Sequence, residues 1–309
     1  MDEQIYENFF GEKPNMSKRK ALQKRFCECG SECIESIKKG EVWYTPDFPF
    51  NKQENYMANY KIIIQYDGTR YKGWQRQKTT DQTIQGKIEA ILSRQYGRTI
   101  EIDGSGRTDA GVHAHGQVAN FRIPEACCEG KTPEEVCEDL KVLFAQYLPE
   151  DIAVVEVRAA SERFHSRLNV VKKTYVYRIW NAEYPNVFER KYMLHDPQEM
   201  DVKAMQAAAE YLLGKHDFAA FCGNAKMKKS TVRTIHEIEI RRIGEEIRFT
   251  YTGNGFLQNM IRIVTGTLVD VGTGVYLPEH VAEILEAKVR ANAGPTMPAQ
   301  GLTLWEVVY

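Results

Sequence analysis

The sequence has little that would place the protein in a membrane or carry it across one. Within its 309 residues the longest apolar runs fall far short of the ~20 residues that a membrane-spanning helix needs. No positively charged stretch followed by an apolar run opens the chain, so no secretory leader is expected. The apolar, aromatic and charged fractions are those of a soluble globular protein. We therefore expect a cytoplasmic protein that has no membrane partner.

The sequence also lacks a pattern typical of a disulfide framework. Its seven cysteines are an odd number at irregular spacing, namely Cys27, Cys29, Cys33, Cys127, Cys128, Cys137 and Cys222. Such a set favours reduced thiols over disulfides. The first three could supply part of a metal site. No Cys-x-x-Cys pair or histidine lies close to them, so free thiols are favoured and no metal is expected.

An excess of positive charge is absent as well. The formal net charge is −1, which argues against a protein that coats nucleic acid non-specifically. Basic residues nevertheless cluster in two segments, and a ligand responds to the local field rather than to the net charge. Each cluster alone is typical of a solvated surface, whereas two such segments beside aromatic strands favour contact with nucleic acid. The clustered residues are Arg163, His165, Arg167, Lys172, Lys173 and Arg178, and then Lys226, Lys228, Lys229 and Arg233.

Residues 1–56 differ from the rest of the chain. They are polar and of mixed charge, and they show little periodic apolar pattern. A helix is predicted over 17–37, and an extended linker is predicted at Pro46 and Pro49. We expect this N-terminal extension to be ordered only in part. Met57 stands directly before the first clear strand, so the alternative is that the natural chain starts there.

From Met57 onward the hydrophobic pattern predicts an α+β fold of two ferredoxin-like α/β-sandwich subdomains. Residues 57–160 show the order β-α-β-β-α-β, which is typical of that plan, and Thr132 and Glu135 form a predicted capping box. Residues 161–309 show an elaborated version of the same plan, and a ligand cleft is expected between the two subdomains. Predicted strands cover 60–66, 99–102, 117–121, 152–157, 173–180, 231–242, 246–252 and 302–308, and predicted helices begin near 81 and 133, cover 200–213 and 256–271, and begin at 278.

The most unusual part of the sequence is the stretch 104–117, where four glycines surround one arginine and one carboxylate. Glycine at this density indicates positive φ or a close approach of the backbone to a neighbour. Asp109 has no second acid nearby, which argues against a two-carboxylate hydrolase and a metal cage. Arg107 beside it favours the ionised form, so Asp109 suits a nucleophile or a base better than a general acid. The alternative is an ordinary tight turn with an aspartate cap.

Two residues elsewhere have the chemistry to complement Asp109. Tyr175 lies on a predicted strand, where it packs in the core or stacks on an RNA base for about 1–3 kcal/mol. Spacing alone favours packing. Arg262 interrupts an apolar helix, so it either snorkels to the helix edge or pairs with a buried carboxylate, for which Asp109 is the obvious candidate. On the sequence alone these two interpretations of Arg262 are evenly matched.

Three other patterns in the same stretch indicate weaker alternatives. His113 and His115 share a face of a strand, as a metal pair would, but no third ligand accompanies them. Ser105 and Thr108 lie near these histidines, but nothing resembles the nucleophile elbow of a hydrolase. The Gly-x-Gly pattern at Gly104 lacks the third glycine of a dinucleotide site. Metal, hydrolase and dinucleotide sites are therefore disfavoured.

Taken together, these motifs resemble the TruA family of tRNA pseudouridine synthases over about residues 60–308. The run Gly106-Arg107-Thr108-Asp109-Ala110-Gly111-Val112-His113-Ala114 is highly specific, and chance agreement at so many ordered positions is negligible. The other matching pieces are Gln65-Tyr66-Asp67-Gly68, Gly73-Trp74-Gln75-Arg76-Gln77, Leu148-Pro149 with Asp151-Ile152, Phe164-His165-Ser166-Arg167, Lys173-Thr174-Tyr175, and Asn259-Met260-Ile261-Arg262 with Gly266.

The resemblance implies an isomerase that converts uridine to pseudouridine in the anticodon arm of tRNA, at positions 38 to 40, without a metal or a redox cofactor. It implies that Asp109 is the catalytic nucleophile and that Tyr175 packs on the uracil and assists proton removal at C5. Arg262 corresponds to the basic residue that pairs with the aspartate. Arg107 corresponds to an arginine that helps to evert the nucleotide, which is required because a glycosidic bond cannot be remade inside a stacked stem.

The resemblance further implies a homodimer whose joint basic surface holds one tRNA arm and reads it mainly by shape and backbone. Charge gathered in such a groove would let a near-neutral chain bind RNA. Two departures from the family pattern stand out, because residues 1–56 have no counterpart and Ala145 stands where an asparagine is expected. The alternative function is a non-catalytic RNA-binding or chaperone module, against which the set of Asp109, Tyr175 and Arg262 argues.

Overall fold

The computed structural model describes residues 57–128, 130–224 and 226–309. The predicted extension over 1–56, with its helix over 17–37 and its three cysteines, lies outside these residues. Within the described ranges, no helix is both long enough and apolar enough to cross a membrane. The cysteines in these ranges are free thiols, namely Cys127, Cys128, Cys137 and Cys222.

The described residues form strands and helices in alternation along the chain. The strands are β1 (Met57–Tyr66), β2 (Ile102–Gly104), β3 (His113–Pro124), β4 (Ile152–Ala160), β5 (Lys172–Trp180), β6 (Leu194–His195), β7 (Gly214–Asp217), β8 (Val232–Ile243), β9 (Glu246–Gly253) and β10 (Leu302–Val308). The helices are α1 (Ile84–Gln95), α2 (Pro133–Tyr147), α3 (Val202–Glu210), α4 (Met260–Gly272) and α5 (His280–Ala287).

The first half of the described chain has the sheet order of a ferredoxin-like unit. β1 lies between β4 and β3 and is antiparallel to both, and β2 pairs with the other edge of β3. The order β4-β1-β3-β2 is the one that the predicted β-α-β-β-α-β succession requires. Tyr60, Ile62 and Ile64 alternate along β1 with less buried residues, and they are buried in the same core as the apolar faces of α1 and α2.

The second half repeats this order and continues the same sheet. β5 lies between β10 and β9, and β8 and β7 follow, all in antiparallel pairs. A short parallel pairing of Thr303 and Leu304 with His113 and Ala114 joins the two halves. The α+β fold class is therefore confirmed. The subdomain boundary between residues 160 and 161 stays a prediction, since one sheet runs across both halves.

Helix α4 is the most deeply buried element of the second half. Every residue of it is buried except Arg262 and Asp270. Burial of one aliphatic side chain of this kind contributes about 1.5–3 kcal/mol, so α4 is firmly fixed against the sheet. The helix thereby gives Arg262 a rigid base.

Two element boundaries differ from the prediction for reasons that concern the site. β2 begins at Ile102 rather than at residue 99, because the Ile100 N–H donates to Ser93 Oγ of α1 (3.0 Å) instead of to a strand. α4 begins at Met260 rather than at residue 256, because Asn259 takes a left-handed backbone with φ of 58°. A helix cannot continue through that conformation, so the four predicted residues before Met260 form a separate turn.

The remaining predicted elements lie close to where the pattern placed them. The capping box of α2 is confirmed, since the Thr132 N–H donates to Glu135 Oε2 (2.7 Å) and the Glu135 N–H donates to Thr132 Oγ1 (3.3 Å). The hairpin of β8 and β9 turns at Gly244, which has φ of 60°. β3 starts earlier than predicted, at His113, and α3 ends earlier, at Glu210.

Candidate active site

The loop between β2 and β3 carries Asp109 and is fastened to β3 by a buried glutamine. Ser105 Oγ donates to Gln117 Oε1 (2.6 Å), and Gln117 Nε2 donates to the Gly106 carbonyl (3.0 Å). Gln117 is fully buried, so water does not compete for these hydrogen bonds. The loop is therefore held in one arrangement before any substrate arrives.

Two glycines with positive φ lie close to Asp109, namely Gly73 from an earlier loop and Gly111 from the same loop. Gly73 has φ of 93°, and a Cβ there would lie 2.6 Å from the Thr108 carbonyl, which also accepts the Trp74 N–H (3.1 Å). Gly111 has φ of 79°. Both predicted reasons for the glycine density of residues 104–117 therefore apply. Gly111 has a positive φ, and the other three glycines lie too close to a neighbour for a Cβ. The close approaches are Gly104 on the Trp74 ring, Gly106 on Lys173 Nζ and Gly116 on the Trp305 carbonyl.

Asp109 is partly buried in this loop. Burial raises the pKa of its carboxyl above the usual value, while the charge of Arg262 and the backbone N–H of Asn259 act to lower it. The net shift is upward, so burial outweighs the two stabilising groups. This corrects the expectation that a neighbouring cation would dominate. The result is a poorly solvated carboxylate whose ionised form is favoured by Arg262 and by the Asn259 N–H.

Arg107 does not supply that charge. Its side chain is exposed, and its Nε donates to the neutral Gln75 Oε1 (2.9 Å). Asp109 is instead influenced by Arg262. The structure therefore brings Asp109, Arg262 and Tyr175 together and leaves Arg107 at the exposed edge of the loop.

Arg262 is held by two neutral oxygens. Its Nε donates to the Met297 carbonyl (2.5 Å), and its Nη1 donates to Asn259 Oδ1 (3.0 Å). Among the ion pairs within 4.0 Å in the described residues, none joins Arg262 to Asp109. Arg262 thus neither snorkels freely nor forms a closed salt bridge. It is a fixed cation that acts on Asp109 through space and leaves the carboxylate open to a ligand.

Tyr175 is buried on β5 and faces the same loop. Its ring packs edge to face against Phe256, with 5.4 Å between the ring centroids. Burial raises the pKa of its phenol, and Tyr66 and the charge of Asp109 raise it further. The packing interpretation and the functional one are therefore both compatible with the geometry. Tyr175 is part of the core and also lies within electrostatic reach of Asp109.

The site contains residues that sequence analysis did not single out. The Tyr66 hydroxyl shares a hydrogen bond with Thr108 Oγ1 (2.8 Å), directly beside Asp109. Asn259 both directs its backbone N–H at Asp109 and holds Arg262. Tyr66 and Asn259 lie inside matching motifs, which is the signal that could have identified them.

The two histidines at the start of β3 do not converge on a common point. His113 is buried, and its Nδ1 accepts the Gly68 N–H (3.0 Å). His115 is exposed and stacks on the Trp305 ring, with 4.5 Å between the centroids. In the described parts of the chain, no three His, Cys, Asp or Glu side chains group closely enough to hold a metal ion.

Known proteins similar to this chain agree in their description. A family model described as tRNA pseudouridine synthase matches residues 62–169 and 208–309. A Bacillus cereus protein named tRNA pseudouridine synthase A 2 is 46% identical over 253 residues, which cover 82% of this chain and all of that protein. A Bacillus sp. protein named tRNA pseudouridine synthase A is 50% identical over 238 residues, 77% of this chain and 94% of that protein.

A protein from another genus gives the same result. A Clostridium tetani protein named tRNA pseudouridine synthase A 1 is 46% identical over 253 residues, again 82% of this chain and all of that protein. Asp109 and Arg262 lie inside the ranges that the family model matches, and Tyr175 lies between those ranges. The chain therefore belongs to the TruA family of tRNA pseudouridine synthases and is an enzyme that isomerises uridine in tRNA.

Proposed function

We propose that this chain converts uridine to pseudouridine at positions 38 to 40, in the anticodon stem-loop of tRNA, with Asp109 as the catalytic nucleophile. The observation that carries the proposal is the meeting of three side chains from three separate elements. The pKa of the Asp109 carboxyl responds to Arg262, and the pKa of the Tyr175 phenol responds to Asp109. An acid, a cation and an aromatic ring at one loop suit the chemistry of an everted uridine.

The isomerisation breaks the bond from uracil N1 to ribose C1′ and forms a bond from uracil C5 to the same carbon. The proton on C5 leaves and N1 gains one, so no oxidant or reductant is needed. The ionised Asp109 supplies the electron pair that attacks the nucleoside. Partial burial removes water from the carboxylate and makes it a better nucleophile, while the charge of Arg262 favours its ionised form.

Tyr175 provides the surface on which the detached uracil packs while it turns. Base stacking on an aromatic ring contributes about 1–3 kcal/mol, enough to retain the base between the two bond changes. Burial holds the phenol in its neutral form, so its hydroxyl is a hydrogen-bonding group near C5. Phe256 fixes the ring from its edge. Tyr175 therefore both positions the uracil and assists proton removal.

Arg107 is assigned a part in eversion by this proposal. It lies two residues before Asp109, it is exposed, and its described hydrogen bond goes to Gln75 alone. Such a weakly tethered guanidinium can enter the stem and occupy the place of the everted base. Asp109 then receives the nucleotide that Arg107 displaces.

One basic segment lies next to the site. The Gly223 N–H donates to the Gln258 carbonyl (2.9 Å), and a Cβ on Gly223 would lie 2.6 Å from Asn259 Nδ2. The exposed lysines that follow are Lys226, Lys228 and Lys229. We assign them contacts to RNA phosphates, which position a stem without reading its sequence.

The central test replaces Asp109 with Asn and maps pseudouridine in tRNA transcripts. The transcripts carry uridine at positions 38, 39 and 40, or cytidine at each of them in turn. We expect Asp109→Asn to bind the RNA and form no pseudouridine. The matched control is Asp103→Asn, since Asp103 is an exposed acid next to the same loop. Full activity of Asp109→Asn would refute the role of Asp109, and pseudouridine outside positions 38 to 40 would refute the assigned region.

We further propose that the enzyme is a cytoplasmic homodimer whose joint basic surface holds one tRNA arm. The net charge of −1 supports this, because two chains can gather their basic segments into one groove. Light scattering with and without tRNA gives the molar mass in solution. We expect twice the 35.5 kDa of one chain. A fully active species at the mass of one chain would contradict the proposal.

A further inference from the structure

Lys173 lies against the loop of Asp109, and the chemistry above makes no use of it. It stands on β5 two residues before Tyr175, so both side chains project from the same face of the strand. Its Nζ donates to the Ser105 carbonyl (2.6 Å), and a Cβ on Gly106 would lie 2.5 Å from that nitrogen. The ammonium therefore touches the backbone that leads into Arg107 and Asp109.

The cations around this part of the loop have no negative partner among the described residues. No carboxylate lies within 4.0 Å of the side chains of Lys173, Arg167 or Arg107, whereas Arg70, Arg76 and Arg178 all have one. Arg107 reaches only the neutral Gln75. The residues paired with Lys173 on the neighbouring strands are Gly253 and Val307, which carry no charge.

The unpaired, partly buried position of Lys173 destabilises its charged form, and this lowers its pKa. Burial, followed by the like charge of Arg167, lowers the pKa of Lys173 to about 8. An ammonium has three N–H donors, and the Ser105 carbonyl takes one of them. A partly buried cation with spare donors, beside a second exposed cation, is matched by an anion with several acceptor oxygens.

We infer that Lys173 and Arg167 form a subsite for a backbone phosphodiester of the tRNA, next to the everted uridine. The inference rests on the proposed docking of an RNA stem-loop at Asp109, because the phosphates of such a substrate are the anions that arrive there. Eversion rotates a nucleotide about its backbone, so a phosphate held at the base of the loop fixes the pivot. Lys173 thus connects the backbone of the substrate to the loop that carries Asp109.

The subsite makes RNA affinity depend on pH in a defined direction. A phosphodiester stabilises the charged ammonium, so the bound complex keeps its proton to a higher pH than the free enzyme does. Below pH 8 both forms are protonated and affinity is constant. Above pH 8 the free enzyme must take up a proton to bind, so affinity falls by up to tenfold for each pH unit.

The experiment measures binding of an anticodon stem-loop RNA to the full chain carrying Asp109→Asn, from pH 7 to 9.5 at constant ionic strength. Without a further change, affinity should fall above pH 8. Lys173→Arg, which keeps its charge at every pH, should bind with little pH dependence. Lys173→Met should bind at least tenfold more weakly at pH 7, again with little pH dependence. The control Lys172→Met should keep the pH dependence, since Lys172 is the exposed neighbour on the strand.

Two further measurements distinguish a contact from a folding defect. Gly106→Ala keeps the lysine but pushes its ammonium aside, and it should weaken binding in the same direction as Lys173→Met. The second measurement uses RNAs in which one phosphodiester is replaced by a neutral methylphosphonate. Each RNA is tested on the protein that keeps Lys173 and on Lys173→Met. At one linkage near the target uridine, the neutral group should weaken binding to the protein with Lys173 and have little effect on Lys173→Met.

The inference is overturned if no linkage shows this difference, or if Lys173→Met keeps the affinity and the pH dependence of the protein with Lys173. Pseudouridine formation by the unaltered chain on the same RNA separates this result from a failure of the proposed function. If pseudouridine forms and the linkage effect is missing, only the phosphate subsite is wrong. If no pseudouridine forms, the proposed function is wrong whatever the binding data show.

Discussion

At the scale of single residues, the Asp109 carboxyl is subject to opposing influences. Burial favours its neutral form, and the Arg262 charge together with the Asn259 N–H favours its ionised form. Neither Met297 nor Asn259 gives Arg262 a full negative charge, so its field remains available to Asp109. The ionisation of Asp109 therefore depends in part on a guanidinium that forms no salt bridge with it.

Arg262→Leu should raise the pKa of Asp109 further, because it removes the charge that lowers this pKa. The active carboxylate is lost as pH falls through that pKa, so the variant should lose most activity at the acid end of the range. One pH unit of displacement corresponds to about 1.4 kcal/mol. The measurement is the single-turnover rate of pseudouridine formation between pH 5 and 8.

Arg262→Lys is the matched control for this prediction. It keeps a positive charge on α4, so its rate should fall at a pH closer to that at which the rate of the unaltered enzyme falls. If Arg262→Leu lowered the rate by the same factor at every pH, the electrostatic link between Arg262 and Asp109 would be wrong.

A second prediction concerns Asn259, whose left-handed backbone precedes α4 and whose side-chain oxygen holds Arg262. Asn259→Gly relieves the backbone and removes the oxygen that holds Arg262, whereas Asn259→Ala removes the oxygen and adds a strain of about 1–2 kcal/mol. Both variants should lose activity, and only Asn259→Ala should unfold at clearly lower urea. Full activity in Asn259→Gly would show that the oxygen is dispensable.

At the scale of elements, the loop of Asp109 is positioned by groups on three sides. Gln117 fixes it from β3, Lys173 from β5, and the backbone at Gly73 from the preceding loop. A shift of any one of them moves Asp109 relative to Arg262, which stands on a different element. Catalytic geometry is sensitive to displacements of about 1 Å, which can cost 10²-fold in rate.

Gly73→Ala should therefore reduce activity on the order of a hundredfold, because its Cβ would collide with the Thr108 carbonyl next to Asp109. Gly97→Ala is the control. Gly97 also has a positive φ, of 61°, but a methyl group added there would meet nothing within 4 Å. The positive φ should cost both variants about 1–2 kcal/mol of unfolding free energy, and Gly73→Ala should lose more because of its collision. Equal activity of the two variants would show that the contact at Thr108 does not position the loop.

At the level of strands and helices, part of the fold and of the candidate site can be predicted from the sequence. β1, β5 and β10 follow from alternating patterns, and the family was identified from motifs and is confirmed by the comparisons. The start of α4 was not predicted, because the apolar pattern continues from Phe256 into the helix and does not reveal the left-handed backbone of Asn259. The upward shift of the Asp109 pKa was also missed, since it arises from burial that only the assembled sheet creates.

At the scale of the whole molecule, a near-neutral chain must bind a polyanion. Some arginines in the described residues are paired with acids, as Arg178 is with Glu246 and Glu189. Lys226, Lys228 and Lys229, by contrast, are exposed. Under the proposed function, attraction to RNA is thus a property of one region rather than of the net charge.

Lys228→Gln should weaken tRNA binding and make it less sensitive to salt. Each lost phosphate contact lowers the slope of log affinity against log salt by about 0.7–0.9. Lys141→Gln is the control, since Lys141 lies on α2 and is paired with Glu138 (2.6 Å). The measurement is binding affinity over a series of salt concentrations. An unchanged slope in Lys228→Gln would place that lysine outside the RNA contact.

The order of strands in the sheet differs from their order in the sequence, and this has a consequence for how the enzyme comes into being. β10, which is made after every other described strand, occupies the middle of the sheet between β3 and β5. While the ribosome still holds those residues, the strands that flank the Asp109 loop and carry Tyr175 lack the strand between them. The nascent polypeptide should therefore be inactive on tRNA until β10 emerges.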